Sequence, residues 1–578
     1  NFTGSPYLVP FGLVVNPGAT LTVEQGVELK FGNYATLQVL GSLQAQGVIF
    51  TSGASAPEPG NWNGIVTGND FHAGTVNLTD CEVKFYHECV VVKGQMNASN
   101  TSFSESNAHG IVVTKSGSLQ LTGGIIQTPS EYSFSYHSGI YADTSESVTV
   151  SGSSIRHFRN GVTGDHSNIS LADIDIRDTY YPVELKSSNN FALTGNSNFE
   201  FNTYKAVYIG FSELNDTLTL PMIQYPYLFM GHFNIKETGK LIVSPGNVLK
   251  FGDYVSLNIK GVLVANGSIS ENIIFTSLRD DNAKGDTNGD GTITAPETGK
   301  WYGINFENES ADSENLMRHC IIRYGGYDYR GGVNTYHASP TIDSCSFANN
   351  YFGIFLSGVS KPVISNTTIG SSSMTPLAMS FEADPVLNNN VLSFSDNAYD
   401  AIGIIGGYMS ANGTLKVRSF TDVPNITYYL LNEIIIPENV TLTINKGITI
   451  KSFNHDGRWD KRIIVYGNLV ADATASEVIN FTSARDDNYG YPADCNKDGT
   501  MTSPVINDWG GIIFQPGSSG LLNYCRFKYA EINNFSYPNC NQYDNANYSA
   551  VAIIDAGPVI TNRSEERRVG KECRSRWS

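Results

Sequence analysis

The chain has 578 residues, of which 40% are hydrophobic and 16% charged, a composition that supplies a large apolar core and excludes a disordered protein. Its 37 basic and 55 acidic residues give a formal net charge of −18, which disfavours nucleic acid and anionic membranes as partners and suits cations or neutral glycans. No apolar run is long enough for a membrane span, so none is predicted.

The first predicted elements belong to a block that occurs three times. The stretch GATLTVEQGVELKFG...GVIFTS at 18–52 matches 239–277 and, more loosely, 439–483. Its terminal FTS step falls at Phe50, Phe275 and Phe481. Such self-similarity at long period indicates a repeat architecture. We therefore divide the chain into three homologous repeats, 1–226, 227–428 and 429–562, the last one truncated.

A tryptophan anchor follows each block after an insert of variable length. WNGI, WYGI and WGGI place Trp62, Trp301 and Trp509 at one position of the repeat. We expect these rings to pack on the apolar edge of the stack instead of stacking on a ligand. A cysteine follows each anchor, and we expect it to point inward as a small hydrophobic residue. These cysteines are Cys81, Cys320 and Cys525.

Within each long repeat a short apolar motif recurs at intervals of a few tens of residues. HGIVV, SGIYA, NGVTG and YPVEL begin between residues 109 and 182, separated by short segments of alternating polarity such as NISLADIDI. Short strands bounded by Gly, Asn and Ser, without a helical apolar period, predict an all-β chain. Intervals of this length match one coil of a parallel β-helix, in which each coil covers the unpaired backbone and apolar face of the previous one. We expect the chain to turn a corner at Gly26.

The internally repeated block and its WxGI anchor resemble the right-handed parallel β-helix repeats of bacterial extracellular and cell-surface proteins, in the pectin-lyase-like superfamily. The resemblance covers residues 5–560 and implies a right-handed parallel β-helix solenoid, secreted or displayed at the cell surface. It is weak for function, because that superfamily includes polysaccharide lyases, hydrolases, epimerases, adhesins and structural stalks.

Catalytic candidates lie in the first repeat. Acidic, histidine and lysine side chains fall on successive coils between 143 and 186, where they could form one cluster on an outer face. The candidates are Asp165, His166, Asp173, Asp175 and Lys186. A solvated outer face of a β-helix has the same composition, so the catalytic interpretation competes with a structural one.

The insert of the second repeat contains DTNGDGTITAPE, which fits the twelve-position pattern of a calcium loop. Calcium prefers six to eight hard oxygen ligands, and the alternation supplies them. The predicted ligands are Asp286, Asn288, Asp290, Thr292 by its carbonyl, Thr294 through water, and Glu297. Neither flank is an amphipathic helix, so an EF-hand switch is not expected.

The third repeat carries a related insert at the same place. There the spacing recurs at Asp494, Asn496, Asp498 and Thr500, while Val505 occupies the twelfth position and Asn507 or Asp508 would have to supply the missing oxygen. Both loops follow an RDDN sequence, whose acids either complete the coordination or cap a turn. The first repeat has GASAPEPGN instead, so calcium is an optional feature of the repeat.

Exposed rings offer a binding function without catalysis. Tyr324, Tyr327, Tyr329 and Tyr336 could stack on sugars, or pack on one another in a closed loop. Two disulfides are conceivable, between Cys320 and Cys345 on adjacent coils and between Cys495 and Cys540 in inserts. The tail 563–578 resembles the translation of a sequencing-library adapter and is expected to be an artefact.

From sequence we predict a secreted or cell-surface, calcium-stabilised β-helix scaffold that is adhesive or carbohydrate-binding and non-catalytic. The alternative is a polysaccharide lyase or glycoside hydrolase acting on acidic glycans. The expected cofactor is Ca²⁺, the expected partners are glycans or other cell-surface polymers, and the fragment is expected to be monomeric.

Overall fold

The computed structural model describes residues 2–87, 90–129, 136–394, 396–454, 461–532, 550–562 and 564–565. The chain divides into two compact bodies. The N-terminal body comprises 1–255 and 270–296, and the C-terminal body comprises 256–269 and 297–578. These bodies do not follow the boundaries of the three sequence repeats.

The N-terminal body opens with a 3-10 helix, Phe2–Gly4, and then winds around three parallel sheets. Sheet A consists of Tyr7–Val9, Glu28–Phe31, Ile49–Ser52, Glu82–Lys84, Ser102–Ser104, Ile125–Gln127, Ser154–Arg156 and Asp175–Arg177. In this body sheet B consists of Leu13–Val15, Thr36–Val39, Gly64–Thr67, Val90–Val92, Ile111–Thr114, Ser138–Asp143, Asn160–Asp165, Tyr181–Leu185, Val207–Ile209, Tyr227–Phe229, Val248–Phe251 and Ile273–Ser277. Sheet C consists of Thr20–Val23, Ser42–Gln46, Thr75–Thr79, Gln95–Ser99, Ser118–Thr122, Ser147–Ser151, Asn168–Ala172 and Asn190–Thr194. Two further pairs join Glu213–Leu214 to Phe233–Ile235 and Thr217–Leu220 to Lys240–Val243.

The C-terminal body repeats this winding with five parallel strand sets. Sheet D contains Ser256–Ile259, Gly303–Phe306, Gly331–Tyr336, Phe352–Ser357, Leu377–Met379, Ile402–Ile404, Tyr428–Leu430, Thr449–Ser452, Ile479–Ser483, Cys525–Phe527 and Ser564–Glu565. Sheet E contains Val262–Asn266, Leu316–Arg318, Thr341–Asp343, Val363–Ser365 and Val386–Asn388, and sheet F contains Cys320–Arg323, Ser346–Ala348, Thr368–Ile369 and Val391–Leu392. Sheet G contains Gly407–Tyr408, Ile434–Ile436, Ile463–Val465, Ile512–Phe514 and Val551–Ile553, and sheet H contains Gly413–Leu415, Thr441–Ile444, Asn468–Asp472, Ser519–Asn523 and Gly557–Thr561.

Both bodies are parallel β-helices, which confirms the predicted fold class. Each strand inside a sheet pairs with the strand one coil earlier and the strand one coil later, end strands pair on one side only, and every ladder between these strands is parallel. Alternate side chains enter the core, as in Ser147–Ser151, where Val148 and Val150 are fully buried between exposed or half-buried neighbours. The described residues include no helix that is long and apolar enough to cross a membrane.

The three repeats form the same local structure. The block strand pairs with the FTS strand in equivalent register, matching Leu29 with Phe50, Leu249 with Phe275 and Ile450 with Phe481. The corner before each block strand is a glycine with positive φ, at 83° in Gly26, 77° in Gly246 and 80° in Gly447. Only glycine adopts this backbone without strain, which explains why it recurs and confirms the predicted corner.

The tryptophan anchors are packing residues, as expected. Trp62, Trp301 and Trp509 are each at most 1% exposed. Each indole Nε1–H donates to a backbone carbonyl about one coil later in the chain, that of Lys84, Arg323 or Lys528, at 2.8 Å, 3.0 Å and 2.8 Å. Burying both the ring and its polar group fixes the point at which the chain re-enters the stack after the insert.

The repeated cysteines point inward, also as expected. Cys81, Cys320 and Cys525 are buried, and each thiol contacts the carbonyl of an alanine on the preceding coil at 3.4 to 3.5 Å. Cys320 and Cys345 occupy adjacent coils as free thiols. Cys495 lies in an apolar cluster, and its suggested partner Cys540 lies outside the described residues.

The tail after residue 562 differs from expectation at one point. Its first described residues, Ser564–Glu565, pair in parallel with Arg526 and Phe527, although the sequence there shows no strand alternation. The remaining residues of the tail, 563 and 566–578, lie outside the described part of the chain.

Candidate metal centres and a candidate binding face

The first insert, residues 278–296, gathers acidic oxygens around one point. Carboxylate oxygens of Asp281, Asp286 and Asp290 lie within 4.8 Å of one another. One oxygen each of these residues and of Asn288 is buried without a hydrogen-bond partner. Buried polar atoms are normally satisfied, so these four unpaired oxygens form an all-oxygen donor set that could hold a cation.

Hydrogen bonds within the loop hold the second carboxylate oxygens of Asp286 and Asp290 and so orient their unpaired oxygens. Asp286 Oδ2 accepts the Gly291 N–H at 3.0 Å. Asp290 Oδ2 accepts from the Asn288 amide at 2.7 Å and from the Thr294 hydroxyl at 2.5 Å. Asp286 and Asp290 thus each use one carboxylate oxygen within the loop and leave the other unpaired.

The second insert, residues 484–508, forms the same arrangement. Oxygens of Asp487, Asp494 and Asp498 lie within 4.8 Å of one another, and unpaired buried oxygens occur on these residues and on Asn496. The orienting hydrogen bonds of the first insert occur here too: Gly499 N–H donates to Asp494 at 3.0 Å, and the Asn496 amide donates to Asp498 at 2.7 Å. The Thr502 hydroxyl also donates to Asp498. The two homologous inserts therefore share one geometry.

The third carboxylate of each centre comes from the upstream RDDN sequence. In the first insert it is Asp281, whereas Glu297, predicted for this role, is exposed and forms an ion pair with Lys300 at 3.1 Å. In the second insert it is Asp487. Asp508, considered as a substitute, instead accepts from Ser483 and lies 3.6 Å from Arg485. The exposed Thr292 and Thr500, predicted to act through their carbonyls, lie in the same loops.

The two aspartates of each RDDN sequence have different environments. Asp280 and Asp486 are fully buried, and each accepts a threonine hydroxyl from the FTS strand at 2.6 Å. Burial raises the pKa of Asp281, and the neighbouring Asp286 raises it further. Burial, followed by Asp494, raises the pKa of Asp487 in the same way. Each cradle thus concentrates negative charge that a divalent cation would neutralise.

A buried lysine lies beneath each insert. Lys250 and Lys451 are 0% exposed, although each belongs to a strand of the block. The Lys250 ammonium donates to the Gly285 carbonyl at 2.8 Å and the Thr287 hydroxyl at 2.7 Å. Lys451 donates to the Asp486 carbonyl at 2.8 Å and to the Ala493 carbonyl. Each lysine therefore ties its insert to the β-helix.

Both inserts fold back over preceding coils. In the first, Thr287 accepts the Lys205 N–H at 2.9 Å, and Leu278 packs with Ala206 and Leu228. In the second, Cys495 accepts the Asp400 N–H at 2.8 Å while its side chain packs among Ala378, Ala401, Tyr429 and Leu431. Each insert thus covers an outer face that would otherwise expose apolar side chains.

The catalytic candidates do not form one cluster. Asp165 ends a strand of sheet B, and Lys186 follows the next strand of that sheet. Asp173 lies in the turn after a sheet C strand, where it accepts the Asn196 N–H at 2.8 Å. Asp175 begins a strand of sheet A and pairs with Arg177 at 2.7 Å. Asp173 and Asp175 therefore do not share the outer face of Asp165, because one corner separates Asp165 from the sheet C strand and Asp173 lies in the next corner, before Asp175.

His166 lies at the corner between sheets B and C. Its Nδ1 is 2.7 Å from Asp165 Oδ1. His166 lines a cavity of about 410 Å³ together with polar residues of its own coil and of the next two coils. The polar lining includes Asn168, Ser188, Asn190 and Asp216.

Sequence reasoning missed Glu184 at the centre of the sheet B face. Its half-buried carboxylate accepts from the Asn160 amide at 2.6 Å. Burial raises the pKa of Glu184, and the cations Lys186 and Arg159 partly offset the effect. The sequence does carry a signal for this position, because the short repeat of about one coil puts residues 141, 163 and 184 at equivalent positions of successive coils.

The tyrosines predicted to stack on sugars lie in the C-terminal body. Tyr327, Tyr329 and Tyr336 are each about half exposed, at 51%, 46% and 54%. Tyr327 also packs against Tyr302 with ring centroids 6.0 Å apart, and Tyr336 packs on His337 at 4.5 Å. Tyr327 and Tyr336 are therefore half exposed, as sugar stacking would require, and each also packs on a neighbouring ring.

Comparisons with known proteins add little to this geometry. No family model matches the chain. No curated protein matches it either. Among solved structures it aligns with a mutant of the PL6 family alginate lyase AlyGC, at 10% identity over 98% of this chain and 95% of the other, with a TM-score of 0.18. A similarity this low indicates nothing about activity.

Proposed function

We propose that the protein is a calcium-stabilised β-helix scaffold, secreted or displayed at the cell surface, whose outer faces contact carbohydrate without cleaving it. The observation that supports this best is the duplicated cradle of buried, unpaired oxygens in two homologous inserts. Their all-oxygen donor set, from carboxylates and amides, suits Ca²⁺ better than a softer metal.

Calcium would act here as a structural clamp. Asp281, Asp286, Asn288 and Asp290 would hold one ion, and Asp487, Asp494, Asn496 and Asp498 the other. Binding would neutralise the mutual repulsion of the carboxylates and offset the ordering entropy of a polar insert. The clamped insert then covers the preceding coils, while Lys250 and Lys451 fix its base from below.

The stoichiometry of calcium binding tests this proposal. Titration calorimetry of the EDTA-treated, dialysed protein is expected to show two sites per chain. Asp290→Asn should remove one site and Asp498→Asn the other, because each removes a charged member of one cradle. Glu297→Gln is the matched control and should leave two sites. Absence of binding, or loss of a site in the control alone, would contradict the proposed clamps.

A polysaccharide lyase or glycoside hydrolase is the second candidate. Glu184 favours it, since a half-buried carboxyl with a raised pKa beside two cations has the properties of a proton donor. Product release from polyuronates or neutral glycans would then be lost in Glu184→Gln. Asp175→Ala is the control, because that carboxylate is ion-paired on another sheet. Unchanged polymers in wild-type incubations, with and without EDTA, would leave the scaffold as the function.

A further inference from the structure

The outward side of sheet B carries a continuous column of side chains across successive coils. Tyr141 is in register with Thr163, Thr163 with Glu184, and Glu184 with Tyr208. Adjacent coils are about 4.8 Å apart, which is close to the length of one pyranose residue in an extended chain. Tyr141, Glu184 and Tyr208 are partly exposed along this column, whereas Thr163 between them is fully buried.

Tyrosine rings form one wall of this column. Tyr181 stacks on Tyr208 with ring centroids 4.2 Å apart and on Tyr204 at 5.3 Å. Tyr180 meets Tyr204 edge to face at 5.3 Å. Tyr181 is buried beneath the others, whereas Tyr180, Tyr204 and Tyr208 are partly exposed. A platform supported from below in this way presents preorganised apolar faces, the usual surface for the C–H face of a sugar ring.

Two cationic side chains, Arg159 and Lys186, lie beside the column. The Arg159 guanidinium lies 5.0 Å from the centroid of Tyr180, and the Lys186 ammonium lies 5.5 Å from that of Tyr141. Both act through space on the Glu184 carboxyl between them. Within the described ranges neither cation has a salt bridge. Their N–H groups therefore remain available to a ligand.

Hydrogen-bond acceptors occupy the same face. Asn160 is only 7% exposed, and it donates to Glu184 and to the Thr163 hydroxyl. Its own Oδ1 is buried and has no hydrogen-bond partner. Asp143 and Asp165, in register on adjacent coils, add two partly exposed carboxylates. The face thus mixes donors with acceptors and carries more acidic than basic groups, which disfavours a polyanion in a chain of net charge −18.

We propose that the sheet B face spanning Tyr141 to Tyr208 is a binding groove for an uncharged oligosaccharide lying along the β-helix axis. The tyrosines stack on its rings, Arg159 and Lys186 donate to its oxygens, and Glu184 accepts from its hydroxyl groups. Four coils accommodate about four sugar residues. The assignment rests on the proposed glycan-contacting function and specifies its site and its ligand class.

Direct titration tests the groove. The calcium-loaded protein is titrated with the hexaoses of the cello, xylo, manno and malto series, and with galacturonate and mannuronate hexamers. At least one neutral hexaose is expected to bind saturably and more tightly than either uronate. Arg159→Ala and Glu184→Gln should each weaken that binding at least tenfold. Arg156→Ala, an arginine paired with Asp175 on sheet A, is the matched control and should bind like wild type.

The possible results separate the groove from the calcium clamps. Every variant is first required to melt at the wild-type temperature with calcium present, so that lost binding reports the site and not the fold. The groove is overturned if no neutral hexaose binds, if a uronate binds best, or if both groove variants bind like wild type. Two calcium sites in a protein that binds no saccharide would remove the groove alone. Saccharide binding without calcium sites would remove the clamps alone.

Discussion

Lys250 and Lys451 show how one residue changes its role with the insert above it. Both are fully buried and donate to the insert. Lys30, at the corresponding position of the first repeat, has no calcium-loop insert above it and keeps a side chain 34% exposed, 3.6 Å from Glu28. A buried ammonium is costly unless its hydrogen bonds are satisfied, so the inserts and the lysines depend on each other.

Replacing the buried lysine should therefore destabilise the protein, and replacing its exposed counterpart should not. Lys250→Met removes two donors and leaves buried acceptors unpaired, with an expected loss of about 1–3 kcal/mol of unfolding free energy. Lys30→Met, the matched control, should change it by less than about 0.5 kcal/mol. The midpoints of urea unfolding measure both. Equal effects at the two positions would contradict the assigned role.

His109 gives the N-terminal body a defined pH dependence. Burial, reinforced by the nearby His137, lowers its pKa from 6.5 to about 4, while its Nδ1 accepts the Ser138 N–H at 2.9 Å. The unfolded chain takes up the proton first as pH falls. The contribution of neutral His109 to the free energy of unfolding is therefore fully present above pH 6.5 and is lost as the pH falls from 6.5 to about 4.

The variant His109→Gln isolates this contribution. Wild type should lose up to about 2 kcal/mol more than the variant across that pH window, after allowance for solvent around the ring. Thermal melts at closely spaced pH values measure the difference. His72→Gln, at an exposed position, is the control. Parallel pH profiles of wild type and His109→Gln would refute the prediction.

At the scale of elements, the two inserts are the segments whose local unfolding should depend on calcium. Each carries trypsin sites among its acidic ligands, Arg279 and Lys284 in the first and Arg485 and Lys497 in the second. A protease needs an extended, locally unfolded substrate, so a clamped insert is protected and an open one is cut. The two inserts fold back on separate coils, and each should open independently.

Limited trypsin digestion should therefore cut both inserts in EDTA and neither in calcium. In Asp290→Asn with calcium present, cleavage should occur in the first insert while the second stays intact. Mass spectrometry of the fragments identifies the sites. Cleavage of both inserts, or of neither, in this variant would show that the ions do not protect them individually.

The sequence predicted the elements better than the sites. Repeated FTS steps and WxGI anchors predicted equivalent strands and buried tryptophans, because both are local requirements of each coil. The sequence could not show that Asp281 and not Glu297 joins the carboxylate group, since this depends on how the insert folds back on Lys250. Glu184 was missed and Asp175 misplaced because a face is assembled from residues about one coil apart, and corners decide which of them align.

At the scale of the molecule, the same repeat occurs with and without an acidic insert. The first repeat passes from its FTS strand to Trp62 through a short insert without acidic cradles, whereas the other two use longer inserts that cover outer apolar faces. The proposed calcium sites would link the stability of the fold to the calcium concentration of its surroundings. A site filled at one hundred times its dissociation constant adds about 2.7 kcal/mol.

Scanning calorimetry of the wild-type protein in calcium and in EDTA tests the calcium clamps most directly. We predict a thermal midpoint that is clearly higher in calcium. The double variant Asp290→Asn, Asp498→Asn should melt at the EDTA temperature of wild type under both conditions. Identical wild-type melting curves in calcium and EDTA would contradict the account.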